Sequence, residues 1–267
     1  MRVLHVWNTA GVGSILAKYQ RKLLGWDTWV VMRKAFDPFG VTTYGEAWDC
    51  SAEVFTAKAL WLARKFDLIH IHSFDRFLKL VKLVYPHKPV VLHYHGTDIR
   101  GRWEEKRKYW SRADLVLVST PDLLDGAPKE AIYLPNPVDT ELFKPVGEKT
   151  PNTALFIFTR EYEKRGYMHL RWAEEKAEEM GLKLTVLDRD KNPIPYTRFP
   201  NFLSKFEYFI DREGIPSLSK TALEALACGV KVIRWDGKII KKLPEKHLPE
   251  NVIHKLAELY MKINFPT

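Results

Sequence analysis

Two cysteines, a single glutamine and no apolar run near the roughly 20 residues of a membrane span set the first bounds on this 267-residue chain. Cys50 and Cys228 lie in different halves and match no metal-binding or redox spacing. A zinc ribbon, a disulfide scaffold and a thiol-redox pair are thereby excluded, and neither cysteine is a candidate nucleophile. The opening segment MRVLHVWNT has one basic residue and no cleavable apolar region, so export is not expected and a cytoplasmic location is. Gln20 stands alone against 42 Lys and Arg and 33 Asp and Glu, and scarce thermolabile amides with abundant charge point to a thermophile. Tandem repeats and low-complexity tracts are also missing, so a solenoid or repeat array drops out. A third glycine is lacking in the loop Gly11-Val12-Gly13-Ser14, where position 16 is leucine, and the next strand ends in Arg33-Lys34 rather than an acidic residue. Both departures count against NAD, and less strongly against NADP.

What is present describes a globular protein with room for two domains: 46% hydrophobic and 28% charged residues, and a net charge of +9. That charge suits nucleic acid, an anionic membrane face or phosphorylated small molecules, and does not choose among them. Strand and helix patterns alternate along the whole chain, which predicts an α/β fold built on doubly wound parallel sheets. Strands are expected at Arg2–Trp7, Thr28–Met32, Leu68–His72, Val90–His93, Leu115–Val118 and Ala131–Leu134. After these, Pro135 to Pro151 holds four of the 16 prolines without periodicity and reads as a linker. The alternation then restarts, giving a first domain over 1–140 and a second over 141–267, whose last helix, near Asn251–Ile263, could pack back on the first.

The most informative stretch is Ser217 to Ile233, SLSKTALEALACGVKVI. Small polar residues open a helix, Glu224 sits about two turns in, and Gly229 supplies the left-handed stop before a buried strand. A helix N-terminus leaves backbone N–H groups unpaired and carries about half a positive charge, so it suits a diphosphate. Ser217, Ser219, Lys220 and Thr221 are the phosphate candidates, and Glu224 is the candidate acceptor for a ribose hydroxyl pair. An ordinary helix–strand unit with a buried acid is the competing account.

This segment resembles the nucleotide-sugar motif of the retaining GT-B glycosyltransferases, in particular glycosyltransferase family 4, with the chain as a short member of archaeal or thermophilic type. The resemblance implies two Rossmann-like domains, the first on the acceptor side and the second holding the donor. It also implies metal-independent transfer of a sugar from a nucleoside diphosphate, UDP rather than GDP, to an alcohol acceptor with retention. No cofactor and no metal ligand are expected, and Asp188-Arg189-Asp190 reads as charged turn residues rather than a DxD motif. His95-Gly96-Thr97-Asp98 is similar to the family's HGxD element: His95 would reach the donor sugar, and Asp98 would orient it or hold an acceptor hydroxyl. A histidine capping a strand end is the alternative. Arg160 with Lys164 or Arg165 would neutralise the leaving diphosphate, and Gly11 and Gly13 would face acceptor and phosphate through their backbone. Asn136 matches a structural element that closes the family's first domain. Pro216 stands where the family has the first of two paired glutamates, with Asp211 and Glu213 nearby. A nucleotide-sugar-binding relative impaired in catalysis is therefore the second reading, and a nucleic-acid-binding protein the third.

The segment Arg100–Arg112 interleaves Trp103, Tyr109 and Trp110 with cations. Three accounts fit it: packing on the sheet, an anionic membrane surface bearing a lipid-linked acceptor, and single-stranded nucleic acid, which no recognised motif supports.

Overall fold

The structure, a computed structural model, describes residues 1–159 and 168–263. It divides into two compact units, Met1–Pro137 with Pro249 onward, and Val138–Leu248. The sequence boundary at 140 lies close to this division, but the last helix belongs to the first unit rather than to the second.

In the first unit the chain runs β1 (Arg2–Val6), α1 (Val12–Leu24), β2 (Asp27–Arg33), β3 (Glu46–Trp48), α2 (Ala52–Ala63), β4 (Leu68–His72), α3 (Arg76–Val84), β5 (Val90–Tyr94), α4 (Trp103–Trp110), β6 (Leu115–Val118) and β7 (Ala131–Tyr133). These strands form one seven-stranded sheet in the order β3-β2-β1-β4-β5-β6-β7, parallel throughout. β4 and β5 are buried along their whole length, as a strand covered on both faces must be. One face packs α2, α3 and α4 on Val6, Ile71 and Leu92. On the other, Val12, Ile15, Leu16 and Tyr19 of α1 meet Val252, Ile253, Leu256 and Tyr260 of the closing helix. That apolar stripe, at helical spacing, is why the last helix joins the first unit.

The second unit contains β8 (Thr150–Phe158), α5 (His169–Glu179), β9 (Lys183–Asp188), α6 (Phe199–Leu203), β10 (Phe206–Ile210), α7 (Lys220–Ala227), β11 (Lys231–Ile233) and β12 (Ile239–Ile240); the closing helix is α8 (Pro249–Met261). Its sheet has the order β12-β11-β10-β8-β9. The sheet is parallel except for the two-residue edge strand β12, which turns back on β11. The strand order reverses around β1 and β4 in the first unit and around β8 and β10 in the second. In open α/β sheets such reversals, at the carboxyl ends of the strands, are where ligands bind.

Candidate functional site

In the second unit the candidate site forms where β10 ends. Asp211, the next residue, is buried, and its Oδ2 accepts the Ser219 N–H at 2.9 Å. The Ser219 hydroxyl in turn accepts the Ala222 N–H at 3.0 Å, capping α7. A carboxylate, supplied by the chain itself, thus sits at the positive end of this helix. Ser217 is buried, its Oγ makes no hydrogen bond, and its N–H donates to the Ile215 carbonyl at 2.7 Å. Thr221 is partly exposed in the first turn.

Glu224 is only 2% exposed. Its Oε1 accepts from the Tyr196 hydroxyl and from Lys220 Nζ, each at 2.5 Å. The lysine lies one turn earlier on the same helix, the spacing at which side chains meet. Tyr196 packs edge-on against Phe143 at 5.1 Å. Burial, then the charge and hydrogen bond of Glu224, push the tyrosine hydroxyl well above the usual phenol range, so it stays a donor. Burial lowers Arg189, with Glu224 opposing that shift. The glutamate expected to wait for a ribose therefore has partners. Both end on Oε1, and Oε2 takes neither bond. Burial also raises the Cys228 thiol to about 11, which keeps it an unreactive core residue.

Arg160, Lys164 and Arg165 lie outside the described residues. Asp188 ends β9 and accepts the N–H of Asp190 at 3.0 Å, as a charged turn residue does. Pro216 and Glu213 are both exposed, so of the two acids considered near the missing glutamate it is Asp211 that lies inside.

In the first unit the predicted residues are engaged differently. Both Asp98 oxygens accept the His95 N–H, at 3.1 and 3.0 Å, and Oδ1 takes the Gly96 N–H at 2.6 Å. Asp98 thus closes its own turn. Gly11 and Gly13 are buried, and Asn8 Oδ1 already takes the Ser14 N–H at 3.0 Å. A methyl group on Gly13 would lie 3.1 Å from the Trp7 carbonyl and 3.3 Å from His72 Nε2. Close helix–strand packing is what this glycine supplies here. Trp7 and Ser73, at the ends of β1 and β4, both take left-handed backbone angles, with φ of 72° and 58°, a conformation that is costly for a bulky side chain.

His95 closes a buried histidine ladder. His5 comes from β1, His70 and His72 from β4, and His93 from β5; all four are completely buried, while His95 follows β5 and is half-buried. Alternate residues of a strand share a face, and the register pairs His5 with His70 and His72 with His93, so five rings collect on one side of three adjacent strands. The Tyr260 hydroxyl bonds His70 Nδ1 at 2.5 Å. His70 Nε2 meets His93 Nδ1 at 3.3 Å, and His93 Nε2 meets Ser119 Oγ at 3.2 Å. Ser119 Oγ reaches His95 Nδ1 at 2.5 Å. His95 Nε2 meets His72 Nδ1 at 3.0 Å, His72 Nε2 meets His5 Nδ1 at 3.0 Å, and His5 Nε2 meets Gln20 Oε1 at 2.8 Å. Both ring nitrogens of every histidine are used. A neutral imidazole has one donor and one acceptor, so the Nε2–H tautomer at all five satisfies the chain in one direction from Tyr260 to Gln20. Burial lowers His70, His72 and His93 far below the ordinary imidazole value, and takes His5 and His95 to about 4, Asp98 opposing at His95. The ladder is neutral at neutral pH. With both nitrogens occupied, His95 reaches a sugar through its ring only by releasing His72 or Ser119.

Sequence reading missed the ladder apart from His95. Its signal was in plain view: His70-x-His72 and His93-x-His95 each put two imidazoles on one face of a strand. Tyr196, the partner of Glu224, carried no comparable signal.

The basic-aromatic helix α4 is packed rather than presented. Trp103 is buried edge-on to Tyr94 at 5.7 Å, and its indole N–H donates to the Leu123 carbonyl at 3.0 Å. The Trp110 indole donates to the Trp103 carbonyl at 2.7 Å. Lys106 bonds the buried Asp75 at 2.7 Å. The expectation that these tryptophans dip into lipid headgroups is corrected, because their polar edges and most of their faces are already in the protein. Among the described residues no helix is long and apolar enough to cross a membrane.

No protein-family pattern matches the chain. No curated protein matches it either. Among solved structures, a sucrose-phosphate synthase from Thermosynechococcus elongatus is similar over 88% of this chain and 81% of the other, at 14% identity and a TM-score of 0.54. A UDP-GlcNAc 2-epimerase from Methanocaldococcus jannaschii is similar over 100% and 95%, at 12% identity and a TM-score of 0.46, too low to carry an argument. The likeness to the synthase concerns the fold, which is GT-B-like: two α/β units, each with a predominantly parallel sheet flanked by helices.

Proposed function

We propose that the protein is a sugar-nucleotide enzyme, and specifically a glycosyltransferase that moves a sugar from a nucleoside diphosphate to an alcohol with retention. The observation that carries this reading is Glu224, a buried carboxylate oriented by Tyr196 and Lys220 on a helix capped by Ser219. Oε2, which takes neither bond, is assigned to the ribose hydroxyls. The start of α7, from Ser217 to Thr221, is assigned to the distal phosphate, with UDP preferred to GDP. Arg160 and the Lys164-Arg165 pair are assigned to charge that grows on the diphosphate as the bond to the sugar breaks, where fixed cations lower the barrier. The acceptor proton then leaves on the departing phosphate, and no side chain needs to become covalently attached.

A second reading, a relative that binds a nucleotide sugar without turning it over, is favoured by two observations. Pro216 replaces the expected first glutamate, and the Asp211 carboxylate lies against the Ser219 N–H, repelling an anion at the same helix end.

Incubation with anomerically pure UDP-, GDP- and ADP-sugars and simple alcohols, followed by proton NMR, tests the proposal. Transfer or hydrolysis with the donor's anomeric configuration kept supports it, and Arg160→Ala should slow that reaction at least ~10-fold with a smaller change in donor affinity. Binding without turnover supports the second reading, and inversion overturns the retaining mechanism.

A further inference from the structure

The ladder is more than a way to bury polar side chains. We propose that His72, His93 and His95 form a binding site for a transition-metal dication of the zinc class, seated beside Ser119 in the first unit. The inference is independent of nucleotide binding in the second unit.

Two groups of three ladder histidines bring one nitrogen each to within 4.8 Å of one another: His5 with His70 and His72, and His72 with His93 and His95. Ring orientation separates them. His70 and His72 are stacked 14° from parallel with centroids 4.3 Å apart, so their in-plane lone pairs run side by side and do not meet on one ion. The rings of the second group are mutually inclined, by 28° for His72 and His95, 33° for His93 and His95, and 39° for His72 and His93. Within it, His72 Nδ1 and His95 Nε2 already face each other at 3.0 Å, and His93 Nε2 bonds Ser119 Oγ, which also holds the other nitrogen of His95.

The remaining nitrogens are placed as a metal site requires. His72 Nε2 bonds His5, which bonds Gln20; His93 Nδ1 bonds His70, which bonds Tyr260. Hydrogen bonds on the non-ligating nitrogen orient a ligand ring and fix its tautomer. Loading the site would break the His72–His95 and His93–Ser119 bonds and keep those outer four and the His95–Ser119 bond, with the donors reversed at His95–Ser119, His93–His70 and His70–Tyr260 so that each ligating nitrogen is unprotonated. Zinc at about 2.0–2.1 Å from each nitrogen sets nitrogen–nitrogen edges of about 3.3 Å, so the rings close by no more than about 1.5 Å from their present separation. The donor set selects the ion. Imidazoles without a carboxylate suit zinc, cobalt, nickel or copper and not magnesium or calcium. Access comes from the His95 side, since that ring alone of the three is not sealed, which leaves a fourth position for solvent.

Cobalt(II) titration of the full chain, stripped beforehand with a chelator, is the test. One cobalt per chain with the visible absorption of a low-coordinate site is expected, displaced by zinc and indifferent to excess magnesium. His95→Ala should weaken binding at least 100-fold, while His5→Gln, outside the site, should retain one cobalt. Absence of binding, or binding unchanged in His95→Ala, overturns the proposal. Should His95→Ala fail to fold, X-ray absorption of the zinc-loaded wild type decides: three imidazoles at about 2.0 Å support the site, and fewer than three refute it.

Discussion

In the first unit a ladder gathers five imidazoles that bond one another directly or through Ser119; in the second a buried carboxylate, a phenol and an ammonium meet on a single oxygen. The first arrangement is neutral and self-contained, and its cost of burial is offset by using every ring nitrogen. The second is charged, and it holds a carboxylate in a fixed direction at the cost of desolvating an ion pair. A network without net charge suits a place where the protein must stay closed or exchange a proton for a metal ion. A pre-aimed carboxylate suits a place where a neutral hydroxyl pair is to be bound.

Acid should break the comparison most strongly. In chelator-treated protein the ladder histidines are neutral when folded, burial taking His5 and His95 to about 4 and His70, His72 and His93 well below the ordinary imidazole value, whereas unfolded imidazoles titrate near 6.5. Their contribution is unchanged above that pH and is lost as pH falls from about 6.5 through about 4, at up to ~1.4 kcal/mol per pH unit for each histidine that stays neutral. The first unit should therefore lose hydrogen-exchange protection near pH 5, before the second. Equal loss in both units would contradict a neutral ladder. Next in size is Lys220→Met, which strips the ammonium from a buried pair and should cost about 3–5 kcal/mol in urea unfolding; a cost below 1 kcal/mol would mean that the pair is effectively solvated. Gly13→Ala, which forces a methyl against the Trp7 carbonyl and His72, should cost about 1–3 kcal/mol, and a neutral result would show that α1 can shift on the sheet.

Much of the fold was legible from the residues. Leu68–His72 and Leu115–Val118 lie where the sequence pattern put them, since short continuous apolar runs between polar flanks leave little choice. The edge strands β3 and β12 were not legible, because three and two residues hold no period. The α7 helix was read from its Ser cap and its Cys-Gly stop, but the phenol that orients Glu224 lies 28 residues away, a distance only tertiary packing closes. The ladder shows the same limit: period two is visible within each strand, but nothing local says that β1, β4 and β5 are neighbours. The place of the α4 tryptophans was left open for a related reason, since a basic-aromatic helix looks the same whether its rings face lipid or the sheet.

The central claim is that the oriented Glu224 carboxylate receives a nucleotide. Calorimetric titration of UDP into the wild type and into Glu224→Gln, which keeps the shape and removes the charge, tests it most directly. The account predicts measurable UDP binding by the wild type and a loss of about 1–3 kcal/mol in the variant, roughly five- to 150-fold in affinity. Absence of UDP binding, or the same dissociation constant in a folded Glu224→Gln, would contradict it.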